Sequence, residues 1–85
     1  GRIAMPETMT GELVEYLAKA LVDHPEDVRV TEEIHGDRVT VHLNVHEDDY
    51  GKVIGKGGRI ATSLRTLAKV AAVREDVRVN VEIGH

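Results

Sequence analysis

The fold is decided by one glycine-rich stretch, Val53-Ile54-Gly55-Lys56-Gly57-Gly58-Arg59-Ile60, which lies between two segments with helical spacing of apolar residues. Three glycines in four residues would cost a helix roughly 1 kcal/mol each, so the chain is expected to turn here. Such a turn exposes backbone N–H groups beside the positive end of the following helix. Without side chains in the way, a polyanion can approach closely. The stretch therefore predicts a phosphate-binding turn between two helices.

The segments on either side of this turn predict the two helices. A short helix is expected over about residues 48–54, with its N-cap in the acidic run 47–49. A longer helix is expected from about Arg59 to Val73. Its apolar stripe is predicted to consist of Ile60, Leu64, Leu67 and Ala71. Its opposite, polar and basic face carries Thr62, Arg65 and Lys69.

Farther out, alternation of apolar and polar residues predicts three strands, over about 28–34, 39–45 and 77–83. Gly36 marks a hairpin turn between the first two, although Glu32 interrupts the apolar face of the first. A helix with Thr10 as its candidate N-cap is expected before them and ends ahead of Pro25.

These elements follow one another as α-β-β-α-α-β. The fold class is α+β, with a three-stranded mixed sheet and three helices on one face. The last two strands are joined through two helices and can therefore lie parallel. Residues 1–9 are interpreted as an N-terminal tail, and residues 10–85 as the domain. Gly1 to Ala4 are consistent with a cloning remnant, since a native chain would begin with Met.

Composition excludes several classes of protein. The chain has 85 residues, 41% apolar and 31% charged, as expected for one small folded domain. It has no cysteine, which excludes disulfides and thiolate metal sites. No apolar run approaches the ~20 residues of a membrane span, so no membrane association is expected. Aromatic residues make up only 2%, which argues against a base-stacking platform.

The charge is distributed unevenly. The net charge is −4, yet residues 50–74 carry six Lys and Arg and no acid, whereas residues 1–49 carry four Lys and Arg against twelve Asp and Glu. A positive block in an acidic protein is typical of a small anion-binding site. On charge alone, a solvated helix face is an equal alternative.

The glycine-rich stretch resembles the V-I-G-x-x-G-x-x-I signature of the KH domain, with Gly55 and Gly58 as the two defining glycines. The match is less close at its end, because Ile60 stands two residues after Gly58 and Ala61 follows where many KH domains carry Ile. The order of elements resembles the type II, bacterial arrangement. Over about residues 10–83 the chain is similar to the small stand-alone bacterial KH proteins of the KhpA type.

The resemblance implies a single-stranded RNA-binding protein that clamps the backbone of about four nucleotides with its G-x-x-G loop. It also implies a cytoplasmic, post-transcriptional or RNA-chaperone-like regulator without catalytic activity. The RNA-contacting residues it implies are Gly55, Lys56, Gly57, Gly58, Arg59, Lys52, Ile54, Ile60, Ala61 and Arg65. A solvated helix face remains the simpler interpretation of Arg65 and Lys69.

The same resemblance supports an alternative, an assembly module with weak RNA binding of its own. Proteins of this type self-associate, and they pair with a larger KH-containing RNA-binding protein linked to cell-envelope growth and division. The net acidity agrees with binding that is weak or that depends on a partner. The intact glycine loop with its basic flank favours RNA binding, because a pure interaction domain has no need of it.

Other chemistries find no support. The P-loop spacing fails, since only three residues separate Gly51 from Gly55. A dinucleotide fingerprint fails because Ile60 stands where its last glycine is required. His42 and His46 are four residues apart on or just beyond a strand, roughly 13 Å from each other, and are interpreted as exposed strand-face histidines that do not share a metal. No catalytic residue, metal site or cofactor is predicted.

Overall fold

The computed structural model describes residues 1–85 as a four-stranded sheet with three α-helices. The strands are β1 (Arg2–Ala4), β2 (Arg29–His35), β3 (Arg38–Asn44) and β4 (Arg78–Gly84). The helices are α1 (Met9–Leu21), α2 (Glu47–Ile54) and α3 (Arg59–Glu75). Two short 3₁₀ turns, Pro25–Asp27 and Lys56–Gly58, precede β2 and α3.

The sheet is mixed, with the strands in the order β1-β2-β3-β4. β2 and β3 form the predicted hairpin, from Arg29 opposite Asn44 to His35 opposite Arg38, and Gly36 turns at φ 60°. β4 lies parallel to β3, because α2 and α3 carry the chain back across the sheet. The prediction of three strands is wrong. Arg2–Ala4, in the segment interpreted as a tail, pair antiparallel with β2 and add a fourth strand.

The hydrophobic core lies between one face of the sheet and the helices. Alternate residues of β3 point into it, and each of them is at most 1% exposed (Val39, Val41 and Leu43). From the helix side the core receives a small set of short aliphatic side chains, Val14, Ala18, Val53, Ala61, Leu64 and Ala68. Short side chains allow α1 and α3 to pack closely on each other and on the sheet.

α3 buries only part of the stripe predicted for it: Leu64 and Ala71 are buried as expected, whereas Ile60 and Leu67 are not. Ala61, Leu64 and Ala68 are buried, whereas Leu67 is 43% exposed and Ile60 is only half-buried. The buried face includes more small residues than predicted, because Ala61, Ala68 and Ala72 join it in place of Ile60 and Leu67. No helix is long and apolar enough to cross a membrane.

The beginning of α1 is held by two carboxylates from distant parts of the chain. Thr8, rather than the predicted Thr10, is the N-cap, and its Oγ1 accepts from the Gly11 N–H at 2.9 Å. Glu32 of β2 is fully buried and accepts from the N–H of Glu7, the N–H of Thr8 and the Thr8 hydroxyl. Glu32 therefore does not break the core face but anchors the start of the helix to the sheet.

The second carboxylate is that of Glu75, in the last turn of α3. It accepts from the Thr10 hydroxyl at 2.8 Å and from the N–H groups of Met9 and Thr10. Burial opposes its ionisation, but these donors outweigh burial and hold the pKa of Glu75 below its ordinary value. The first turn of α1 is thereby tied to the last turn of α3.

Candidate nucleic-acid interface

Gly55 ends α2 and begins the predicted phosphate-binding turn. Its N–H donates to the Gly51 carbonyl at 2.8 Å, which closes the last turn of the helix. A Cβ added at Gly55 would collide with that carbonyl oxygen, although the φ of −78° is open to any residue. Glycine is therefore required at this position for close approach of the backbone rather than for its conformation.

The three residues that follow all adopt left-handed backbone. Lys56, Gly57 and Gly58 have φ of 51°, 75° and 69°. A Cβ added at Gly57 would meet nothing within 4 Å, and at Gly58 it would meet only the Thr62 hydroxyl at 4.0 Å. The turn is thus open on its outer side, where a ligand backbone can reach the main chain.

This turn leads directly into α3, whose N-terminus has no side-chain cap. Gly58 is the N-cap and offers no acceptor, so the first N–H groups of the helix lack side-chain partners. In contrast, Thr8 caps α1, and the His46 ring accepts from the Asp48 N–H in α2. An anion placed at the start of α3 would meet N–H donors that no side chain caps, and the positive end of the helix dipole.

Three basic side chains surround the turn. Lys52, Lys56 and Arg59 are exposed and line a cleft of about 580 Å³ that also includes Gly55 and Ile60. The fold also brings Asp23, from the end of α1, into the same cleft, where it pairs with Lys52 at 3.3 Å. Sequence patterns did not predict Asp23 in the cleft, because it lies 29 residues away from Lys52.

Asp49 explains how Asp23 is held there. The sequence predicted an N-cap within residues 47–49, but His46 is the cap, and Asp49 is buried at 1% exposure. Its carboxylate accepts from the N–H groups of Asp23 and His24 at 3.1 and 2.9 Å. Burial opposes its ionisation, and the two backbone donors, with the nearby His24 and Lys52, outweigh it and lower the pKa of Asp49.

The apolar residues assigned to the groove differ in their accessibility. Ile54 is 44% exposed at the end of α2, and Ile60 is half-buried on the wall of the cleft. Ala61 is 3% exposed and packs in the core, so it is not on the surface of the cleft. The structure therefore brings Lys52, Lys56, Arg59 and Ile60 together around the glycine turn, and leaves Ala61 beneath it.

Arg65 lies farther along α3, against the edge strand. Its guanidinium group donates to the Val81 carbonyl of β4 at 3.4 Å. Because β4 is the last strand of the sheet, this carbonyl belongs to an edge with no further strand beside it. Arg65 thus lies between α3 and an edge that has unpaired backbone groups, rather than in the cleft at the turn.

The chain is similar to known proteins over most of its length. The family model described as "KhpA/KhpB, KH domain" matches residues 11–83. The protein named "RNA-binding protein KhpA" in Clostridium perfringens is 53% identical over 72 residues, which cover 85% of this chain and 96% of the relative. The proteins of the same name in Halalkalibacterium halodurans (84% of this chain and 93% of the relative) and Caldanaerobacter subterraneus (86% and 97%) are 52% and 57% identical. No solved structure gives a match.

Proposed function

This chain belongs to the KhpA/KhpB KH-domain family, and we propose that its Gly55–Gly58 turn clamps the backbone of single-stranded RNA over about four nucleotides. The protein binds RNA as a KH module, as its relatives' name states of them. The proposal concerns how it does so, and it includes no catalytic step.

One observation carries this proposal: the open, left-handed turn leads into an uncapped helix N-terminus. A phosphate at this point accepts hydrogen bonds from the first N–H groups of α3 and is stabilised by the helix dipole. Lys56 and Arg59 add positive charge on the same side. No Cβ stands in the way at Gly57, so the phosphate can reach the main chain.

The bases would lie beyond the turn, between the helices and the edge of β4. Ile54 and Ile60 offer aliphatic contact, which suits a protein with only 2% aromatic residues. The edge of β4 offers backbone donors and acceptors for base edges. Arg65 covers one of these groups, the Val81 carbonyl, and would move aside or join the contact.

Charge sets the expected strength and salt dependence of binding. The protein carries a net −4, and Asp23 lies inside the cleft, so long-range attraction of RNA is weak. A clamp on three or four phosphates predicts a log–log salt slope of about −2 to −3 on single strands.

The test compares two substitutions that differ only in place, Gly57→Asp and Gly36→Asp. Both glycines have positive φ, 75° and 60°, and a Cβ at either would meet nothing within 4 Å. Asp is among the residues that tolerate this backbone, so both variants are expected to fold. Both change the net charge by the same amount. Gly36 lies beside Asp37, whose carbonyl accepts from the Arg78 N–H just beyond α3, about 25 Å along this 17-residue helix from the turn.

We expect Gly57→Asp to weaken binding of a labelled single-stranded RNA pool by roughly five- to hundredfold. A negative charge about 5 Å from a bound phosphate costs about 1–3 kcal/mol at surface dielectric constants. Gly36→Asp is expected to bind like the wild type. Circular dichroism establishes that both variants are folded. Equal affinity of the two variants at low salt concentration would show that the turn is not the RNA clamp.

We further propose, on the resemblance, that the chain acts in the cytoplasm as a post-transcriptional or RNA-chaperone-like regulator, and that it self-associates or pairs with a larger KH-containing protein. The outer side of α3 supports association, since Leu67, Val70 and Val73 are 43%, 53% and 80% exposed on one stripe. Val73→Asp is then expected to shift the sedimentation coefficient towards the monomer. An unchanged coefficient would remove this face from consideration.

A further inference from the structure

Three side chains from two separate segments meet beside the start of α2. His24 follows α1, while His46 and Asp48 lie at the N-cap and in the first turn of α2. The two imidazole rings lie with their centroids 4.2 Å apart. One nitrogen or oxygen atom from each of the three residues lies within 4.8 Å of the other two. The cluster is therefore produced by the fold, since 22 residues separate the two histidines.

The distances within the cluster are close to those of a metal site. Asp48 Oδ2 lies 3.6 Å from His46 Nδ1 and 4.0 Å from His24 Nε2. Tetrahedral zinc with bonds of about 2.0–2.1 Å holds its ligand atoms about 3.4 Å apart. The three side chains are exposed or half-buried, and rotations that shorten these separations would bring the three atoms to that spacing.

The second nitrogen of each ring faces another carboxylate. His24 Nδ1 lies 3.9 Å from Glu26 Oε2, and His46 Nε2 lies 4.0 Å from Asp27 Oδ2. In many histidine metal sites a carboxylate accepts the proton of the remote ring nitrogen and leaves the near nitrogen as a ligand. Glu26 and Asp27 lie beyond hydrogen-bonding distance here, and a closer approach on metal binding would give them this role. Carboxylates on both sides also give the cluster a negative potential that favours a cation.

The tautomer of His46 agrees with this role. Its Nδ1 accepts a hydrogen bond from the Asp48 N–H at 3.0 Å, so the neutral ring carries its proton on Nε2 and has a lone pair on Nδ1. A metal ion would take this lone pair in place of the N–H. The lost helix cap opposes binding, and therefore moderate rather than tight affinity is expected.

We propose that His24, His46 and Asp48 bind a divalent transition-metal ion of the zinc type. Imidazole nitrogens suit zinc and its neighbours, whereas magnesium and calcium prefer oxygen ligands alone. Three protein ligands leave one tetrahedral position for water. The ion would join the connection between α1 and β2 to the start of α2, the helix that ends at the glycine turn. This proposal does not depend on RNA binding.

The test is isothermal titration calorimetry of the full chain with zinc chloride, beside magnesium chloride. His24→Gln removes one ligand. His46→Asn removes another and keeps an N-cap acceptor, because Asn is a favoured cap residue. His42→Gln is the matched control, since His42 also lies between two carboxylates, Glu33 at 3.4 Å and Glu82 at 3.2 Å, but on the open face of the sheet.

We expect one zinc equivalent to bind the wild type and raise its thermal midpoint, with no response to magnesium. His24→Gln and His46→Asn should each weaken zinc binding at least about tenfold, since even the loss of a residue behind a ligand costs that much. His42→Gln should bind as the wild type does. Circular dichroism without zinc verifies the fold of each variant. Absence of zinc binding, unchanged affinity in the first two variants, or loss of affinity in His42→Gln would overturn the proposal.

Discussion

Replacing Glu32 by alanine removes the carboxylate that holds the start of α1. Glu32 is fully buried and accepts three hydrogen bonds, from Glu7 and Thr8. Hydrogen bonds to a charged group contribute about 1.5–3 kcal/mol each, and water at the partly exposed donors recovers a portion. We expect a loss of about 3 kcal/mol, out of the roughly 4–13 kcal/mol typical of a domain of this length. The corresponding decrease in Tm is roughly 12–24 °C.

The contact between Gly11 and Glu32 can be tested, because the effect of Gly11→Ala on Tm should change sign when Glu32 is removed. Alanine normally stabilises a helix relative to glycine by about 1 kcal/mol. At Gly11, however, an added Cβ would collide with the Glu32 carboxylate, so Gly11→Ala is expected to lower Tm. In a Glu32→Ala background the obstruction is gone, and Gly11→Ala should instead raise Tm.

The assay is thermal and urea unfolding of the wild type, both single variants and the double variant, analysed as a double-mutant cycle. Glu33→Ala, the neighbouring residue on the open face of the sheet, is the control and should change Tm little. Gly11 is not in contact with the Glu32 carboxylate if Gly11→Ala stabilises the wild-type protein, or if the effects of the two substitutions on the free energy of unfolding are additive.

Three further predictions concern acid stability, the glycine turn and the cleft. The pKa of Glu75 lies below its ordinary 4.5, so the stability that its ionised form contributes is complete above pH 4.5 and is lost as pH falls through the lower folded value. Glu75→Gln should therefore lose less stability on acidification, as measured by circular dichroism. An unchanged dependence of stability on pH would contradict this. Gly55→Ala should lower Tm, because its Cβ would collide with the Gly51 carbonyl. Gly51→Ala should raise Tm, because a Cβ there meets nothing within 4 Å and alanine favours the helix. A higher Tm for Gly55→Ala than for Gly51→Ala would be inconsistent with this turn. Asp23→Asn removes a negative charge from the cleft and should tighten RNA binding about threefold at low salt, less at high salt, by fluorescence anisotropy; weaker binding would mean that Asp23 supports the site.

Local signals were sufficient to predict much of the fold. Alternation and Gly36 predicted the hairpin of β2 and β3, and the two helices before β4 indicated its parallel pairing, as found. Arg2–Ala4 carry no such signal, because three residues are too few to show alternation. β1 exists because β2 offers it an edge about 30 residues away, which sequence spacing does not reveal.

The helix starts illustrate the same limit. By residue type Thr10 is a reasonable N-cap. In the structure, however, the Thr10 hydroxyl donates to Glu75, and the Thr8 hydroxyl donates to Glu32, two carboxylates from distant parts of the chain. Thr8 is the residue that reaches Glu32 and still accepts from Gly11. Whether a threonine caps its helix or hydrogen-bonds to a distant carboxylate depends on which groups the fold places near it.

In the candidate site, too, the sequence predicted the grouping of adjacent residues but not that of distant ones. The glycine turn and its flanking cations, Lys56 and Arg59, were predicted from adjacent residues and lie together in the structure. The sequence does not predict Asp23 in the cleft, because its backbone is held there by a hydrogen bond to the carboxylate of Asp49, 26 residues farther along the chain. The motif places Ala61 in the groove, yet Ala61 is 3% exposed and belongs to the hydrophobic core.

RNA phosphates are proposed to bind at the turn between α2 and α3. The most direct measurement is a titration of isotope-labelled protein with short single-stranded RNA, followed through the amide resonances by NMR. The largest changes are expected at the amides of Gly57, Gly58 and Arg59, where the helix N-terminus is uncapped. Changes confined to the open face of the sheet, at Thr40 and Asn80, with the turn unaffected, would contradict the account.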